Sequence, residues 1–179
     1  MSPLTHQRML WILIPSQFSS HYIGATNVGF IRGGYHFARP GVSSGAAQAR
    51  FFAAHGGGWS PDGITLPGML DLEAGCSRLS KTAMVNWIKD FSDTYNGITR
   101  RYPIIYTARS WWQTCTGDST AFVDTSPLDL ASWASTPGPM PGGWPFYTFW
   151  QYNDHNKWGG DSDLFNGSLD QLKKLVKGS

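Results

Sequence analysis

The chain has 179 residues, 41% hydrophobic and 15% aromatic, with 21 glycines, 11 prolines and 9 tryptophans but only 15% charged residues. That length buries one substantial core rather than two, so a single domain is expected, poor in salt-bridged surface helix and rich in turns and aromatic faces. A net charge of +2 from scattered lysines and arginines excludes a dedicated nucleic-acid binder, which gathers its basic residues into one stripe, and no apolar run approaches the roughly 18 residues of a membrane span.

In chain order, the apolar stretch 9–14 is too short for a signal-peptide core and no small-residue cleavage site follows it; it reads as a strand or an artefact. Polar and apolar spacing predicts a helix over 19–27, stopped by Gly29. A strand follows over 30–37, with Gly33 and Gly34 marking a bulge or a close backbone approach. A helix over 46–54 ends at Gly56-Gly57-Gly58, and a loop runs through Pro61, Asp62 and Gly63. The run 66–73 is apolar until it turns acidic, as expected of a buried barrel strand that delivers polar groups at its C-terminal mouth. Met84, Trp87, Ile88 and Phe91 fall at helical spacing within 80–95, with Ser80 as N-cap. Strands over 102–107, 128–133 and 146–152, a short helix over 110–113 and a last helix over 169–176 complete the pattern. The segment 137–145, with four prolines and three glycines, reads as an ordered surface loop. Strands and helices alternating at this spacing argue for an α/β barrel-like fold rather than a sandwich.

Asp71 and Glu73 are the sharpest chemical signal. Positions i and i+2 of a strand project to one face, so two carboxylates stand side by side there. Burial and mutual repulsion raise the pKa of at least one, as a general acid requires. An acidic pair that merely caps a helix or faces solvent is the competing reading on spacing alone. Trp111, Trp112, Trp133, Trp144, Tyr147, Phe149, Trp150, Tyr152 and Trp158 crowd the second half, as core, rim or stacking platforms for sugar rings; a base-stacking surface would interleave more Lys and Arg.

Asp161 and Asp163 sit in a Gly-Gly-Asp-Ser-Asp segment that lacks the later ligands of a calcium loop, so no metal and no cofactor are expected. Asn166-Gly167-Ser168 matches a glycosylation sequon, and His36 reads foremost as a core histidine. Cys76 and Cys115 have neither a CxxC spacing nor a zinc-completing histidine. One disulfide is the preferred reading, with two buried thiols as the alternative.

The ordered segments Tyr22-Ile23-Gly24-Ala25, Gly34-Tyr35-His36-Phe37-Ala38, Gln48-Ala49, Leu66 through Glu73, Pro103-Ile104-Ile105-Tyr106-Thr107, Trp111-Trp112, Thr148 through Tyr152 and Asp161 through Gly167 resemble the glycoside hydrolase family 25 lysozymes, the N,O-diacetylmuramidases of Chalaropsis type, and most closely their fungal branch. The resemblance implies an irregular TIM-like (β/α) barrel of parallel strands completed by antiparallel ones. It also implies a secreted, monomeric muramidase that hydrolyses the β-1,4 bond between N-acetylmuramic acid and N-acetylglucosamine in peptidoglycan glycan strands, with no membrane or nucleic-acid partner. Glu73 matches the family's general acid, Asp71 its partner carboxylate and Asp161 a further active-site aspartate. Tyr35, Tyr106, Trp150 and Gln151 match substrate-binding positions. A substrate-assisted route, with the N-acetyl oxygen attacking the anomeric carbon, and direct attack by water are both open. Family members begin with a strand bearing a Gly-Ile-Asp type motif and a second with a Lys-Ala-Thr-Glu-Gly type motif. Neither is present here, so 1–17 is expected to fall outside the match and 18–179 to form a catalytic domain lacking its first two strands. The alternative expectation is an inactive or glycan-binding remnant of that fold.

Overall fold

The computed structural model describes residues 9–13, 18–157 and 159–178; Ile14 of the apolar stretch and Trp158 of the aromatic set lie outside them. The elements are β1 (Met9–Leu13), α1 (Phe18–Asn27), β2 (Ile31–Phe37), α2 (Gly45–Phe52), β3 (Met69–Leu72), α3 (Lys81–Thr99), β4 (Ile104–Ala108), α4 (Arg109–Thr116), β5 (Leu128–Ala131), β6 (Phe149–Asn153), β7 (Ser162–Phe165) and α5 (Leu169–Lys177). The seven strands form one sheet in sequence order. β1 to β6 are parallel and β7 runs antiparallel to β6. This is the irregular barrel-like α/β fold expected, and among the described residues no pairing closes β7 onto β1. Residues 9–13 of the apolar stretch thus supply a sheet strand, beside β2.

Strand alternation divides the molecule into two packed layers. Leu70, Leu72, Ile105, Leu128 and Leu130 join Phe52, Met84, Ile88, Phe91, Tyr95 and Trp112 from the helices in one core. Met69, Ile104, Tyr106 and Phe149 alternate with them and meet Leu66 and, from α5, Leu172 and Val176 in a second. Ser80 caps α3 by accepting from the Ala83 amide, as its spacing predicts. The helix carries Met84, Trp87, Ile88, Phe91 and Tyr95 inward, each large side chain contributing about 1.5–3 kcal/mol when fully buried. Gly45 is required where α2 crosses α3, since a Cβ there would lie 2.3 Å from the Trp87 carbonyl oxygen. Gly56 has φ +102 in the turn after α2 and faces the Phe18 ring, which a Cβ would strike at 2.4 Å.

Several boundaries differ from the sequence expectation, two of them for a plain local reason. β3 begins only at Met69, because Pro67 has no amide to give a ladder and Gly68 accommodates the Tyr95 hydroxyl, which accepts from the Gly68 amide at 2.7 Å. β6 begins at Phe149 rather than 146, downstream of the proline-rich loop. β7 is not among the strands expected from sequence; it forms because β6 offers its free edge, with Gln151 opposite Asp163 and Phe149 opposite Phe165.

Cys76 and Cys115 form a disulfide across 39 positions. It ties the loop after β3 to α4, and the Trp111 indole N–H, also on α4, donates to the Ala74 carbonyl. The loop that follows Glu73 is therefore anchored at two points. Replacing both cysteines by serine is expected to lower the unfolding free energy by about 2–4 kcal/mol, seen as a lower denaturant midpoint; an unchanged midpoint would show that the link contributes nothing to stability.

Candidate active site

At the C-terminal ends of the parallel strands, a cavity of about 270 Å³ is lined by Tyr35, Met69, Asp71, Glu73, Tyr106, Asp129, Gln151, Gly159, Gly160, Asp161 and Asp163. Strand register assembles it: Asp71 is level with Tyr106, and Tyr106 with Asp129, so the inner faces of β3, β4 and β5 present an acid, a phenol and an acid side by side. β2 adds Tyr35, level with Met69. Gln151 on β6 stands opposite Asp163 on β7.

Gln151 organises the mouth. Its Oε1 accepts from the Tyr106 hydroxyl at 2.9 Å and from the Trp133 indole N–H at 2.9 Å, which leaves Nε2 to donate to Asp161 Oδ2 at 3.2 Å. Two donors on one oxygen determine the amide's orientation and, through it, the position of Asp161. Trp133 is 61% exposed while its indole N–H is held in this network.

Five carboxyl groups share this cavity, and no Lys, Arg or His lines it among the described residues. Their charged forms are disfavoured by lost water and by one another. Burial, then the charges of Glu73 and Asp161, push Asp71 up to about 8. Burial and Asp161 raise Glu73. Burial and Asp154, partly offset by His155, raise Asp161. Asp163 is pushed to about 7 by burial and Asp161, and Asp129, wholly buried, lies well above the ordinary range. Tyr35 is pushed to about 12 and Tyr106 is raised as well, both chiefly by burial, so both tyrosines stay neutral donors. Protons are retained here at pH values where a solvated carboxylate has lost its own. No set of three metal-ligating side chains converges among the described residues.

The residues singled out from sequence separate clearly. Asp71, Glu73, Asp161, Tyr35, Tyr106 and Gln151 all face the one cavity. Trp150 does not: it is adjacent to Gln151 on β6 and so projects to the other face, where its indole N–H donates to the Ser132 carbonyl at 2.7 Å and its ring packs near Tyr147 and Tyr152. Side-chain alternation grants the cavity one of two neighbours, and Gln151 holds it. Trp112 and Trp144 are core residues packed edge to face. His36 also points to the helical side, bonded to Gln48 Oε1 at 2.8 Å between Phe52 and Phe91.

Asp129 escaped the sequence reading. Its signal was present, because Leu128-Asp129-Leu130 repeats the pattern of Leu70-Asp71-Leu72, an acid between two leucines of a buried strand.

The family model for glycosyl hydrolases family 25 matches residues 13–161, which extends the likeness upstream of Phe18. The chain is 59% identical over 170 residues to a protein of Chalaropsis sp named N,O-diacetylmuramidase, covering 90% of this chain and 81% of that one. A protein of the same name from Arthroderma benhamiae is 58% identical over 168 residues, covering 91% and 71%. The structure of a muramidase from Acremonium alcalophilum superposes with a TM-score of 0.95 at 52% identity, over 99% of this chain and 95% of that one.

Proposed function

The chain belongs to glycosyl hydrolases family 25, and from that premise we propose that it is a muramidase which hydrolyses the β-1,4 bond between N-acetylmuramic acid and N-acetylglucosamine in peptidoglycan, acting as an extracellular monomer. The observation that carries the reading is the set of proton-retaining carboxyl groups, Asp71 and Glu73 foremost, at the C-terminal mouth of a parallel barrel sheet, where barrel enzymes place their chemistry. The disulfide suits an oxidising compartment.

In this reading Glu73, the more exposed of the pair and raised by burial and Asp161, protonates the departing glycosidic oxygen. Asp71, which is 6% exposed, orients the acetamido group of the sugar on the other side of the bond, whose carbonyl oxygen attacks the anomeric carbon. Water then opens the resulting ring with Glu73 as base. Asp161 is held by Gln151 beside the developing positive charge, and Tyr35 and Tyr106 offer neutral donors to sugar hydroxyls.

The test is incubation of the chain with purified bacterial cell walls, following turbidity and the newly exposed reducing ends. Clearance with N-acetylmuramic acid at the new ends is expected. Binding to the walls without any new reducing end would instead identify a glycan-binding remnant.

A further inference from the structure

Asp129 stands at the base of the cavity with 0% exposure. Neither carboxyl oxygen has a hydrogen-bond partner among the described residues, whereas buried polar side chains are ordinarily satisfied and each exception calls for an explanation. The groups facing it are Asp71 from β3, Tyr106 from β4, Gln151 from β6, Asp163 from β7 and Asp161 just before β7. None of them is a cation. An isolated carboxylate there, stripped of water and without a counter-charge, is strongly disfavoured, so the side chain is carried as the neutral acid, with one O–H to donate. Burial first, then the charges of Asp163, Asp71 and Asp161, act in that direction. The surroundings of this donor are apolar on one side, with Met69 lining the same cavity and Phe149 level with Asp129 in the sheet.

A neutral donor beside an apolar surface matches a group that joins a carbonyl oxygen to a methyl. On the muramidase reading, which this inference deepens and on which it rests, we propose that Asp129 is a substrate-contacting residue whose carboxylic acid donates a hydrogen bond to the carbonyl oxygen of a sugar acetamido group, with the acetyl methyl against Met69. A carbonyl oxygen has two lone pairs. One accepts from Asp129 and the other remains free for attack on the anomeric carbon, so the bond aims the oxygen without consuming it.

Binding of an alternating N-acetylglucosamine/N-acetylmuramic acid tetrasaccharide is measured by calorimetry in a Glu73→Gln background, which prevents turnover. Asp129→Val deletes the donor and is expected to weaken binding about tenfold. Asp129→Asn keeps a donor and is expected to bind within about twofold of the parent. The gap between the two should close with the de-N-acetylated tetrasaccharide. Because the Val variant exchanges an unpartnered acid for methyl groups, its melting temperature should equal or exceed the parent's, which a purely structural aspartate would not give. Equal affinity of Val and parent, or equal loss in Val and Asn, overturns the proposal, and Asp129→Ala, which also deletes the donor, takes the place of Val should Val fail to fold. A wild-type chain that clears walls while the variants bind alike overturns this inference only. A chain that neither binds nor clears overturns the muramidase reading and this inference with it.

Discussion

Glu73→Gln is expected to reduce wall clearance by about 10²–10⁴-fold, the usual worth of a positioned general acid, while the folded chain survives the exchange intact. The position of Glu73 sets this expectation. It follows β3 by one residue and faces the cavity with Asp71, on a loop held by the Cys76–Cys115 link and by the Trp111 bond to Ala74. An amide of the same size keeps the volume but cannot deliver a proton. Being on the exposed side of the site, the change should shift stability by no more than about 0.5 kcal/mol. Clearance rate and thermal midpoint are read on the same preparations. Full activity in the Gln variant would reassign the acid, and Asp71 or Asp161 would be the next to replace. Loss of activity together with a large drop in midpoint would indicate a structural role instead.

Stability is expected to fall as pH rises from about 4 towards 8, the reverse of a protein held by carboxylate ion pairs. Asp71 has an ordinary value of 3.8 and lies at about 8 in the fold. Between those values the folded state keeps a proton that the unfolded chain has released, so the folded state binds more protons and its stability declines with pH. One such group contributes a slope of about 1.4 kcal/mol per pH unit over that window, against a total stability of about 5–15 kcal/mol for a domain. The stabilisation is complete below the unfolded pKa and gone above the folded one. Asp163, at about 7, acts in the same sense. Asp62 acts oppositely: burial disfavours its charge, but bonds from the Thr65 hydroxyl and the Ile64 and Thr65 amides, with the Arg32 guanidinium, outweigh burial and hold it at about 2. Its stabilisation is present above 3.8 and lost as pH falls towards 2, so the optimum should lie near pH 4. Denaturant midpoints at pH 4.5, 6 and 7.5 give the measurement. A steady decline is expected, shallower in Asp71→Asn. Midpoints that rise over the same range would show that these groups ionise freely in the fold.

The two effects share one origin. A cavity that crowds carboxyl groups away from water and from cations retains protons for chemistry, and the fold bears the cost whenever pH strips them.

Much of this was legible in the residues themselves. The helix around Met84-Trp87-Ile88-Phe91, with its Ser80 cap, and the helix at 169–176 follow from local periodicity and, at Ser80, from a side-chain acceptor that acts within one turn. Asp71 and Glu73 were legible because they stand two apart at the end of one apolar strand, so a single element suffices to bring them together. β7 was not, since Ser162–Phe165 is a strand only by virtue of the edge that β6 presents. That Trp150 turns away from the cavity was not legible either, because resemblance marks a segment, while only strand parity says which neighbour faces inward. Asp129 has the same flanking leucines as Asp71, but its i+2 partner is Ala131, and nothing local tells that it completes an acidic cavity.

The sequence by itself determined the main helices, the Ser80 cap and the pairing of Asp71 with Glu73, because each rests on interactions a few residues apart. Only the tertiary structure decided the strand register that sets Asp71, Tyr106 and Asp129 in one row and the hairpin that brings Asp161 and Asp163 across from Gln151. It also decided the depth of burial that keeps their protons on. Dielectric environment and like-charge proximity belong to the assembled sheet, since both depend on atoms contributed by strands distant in the chain.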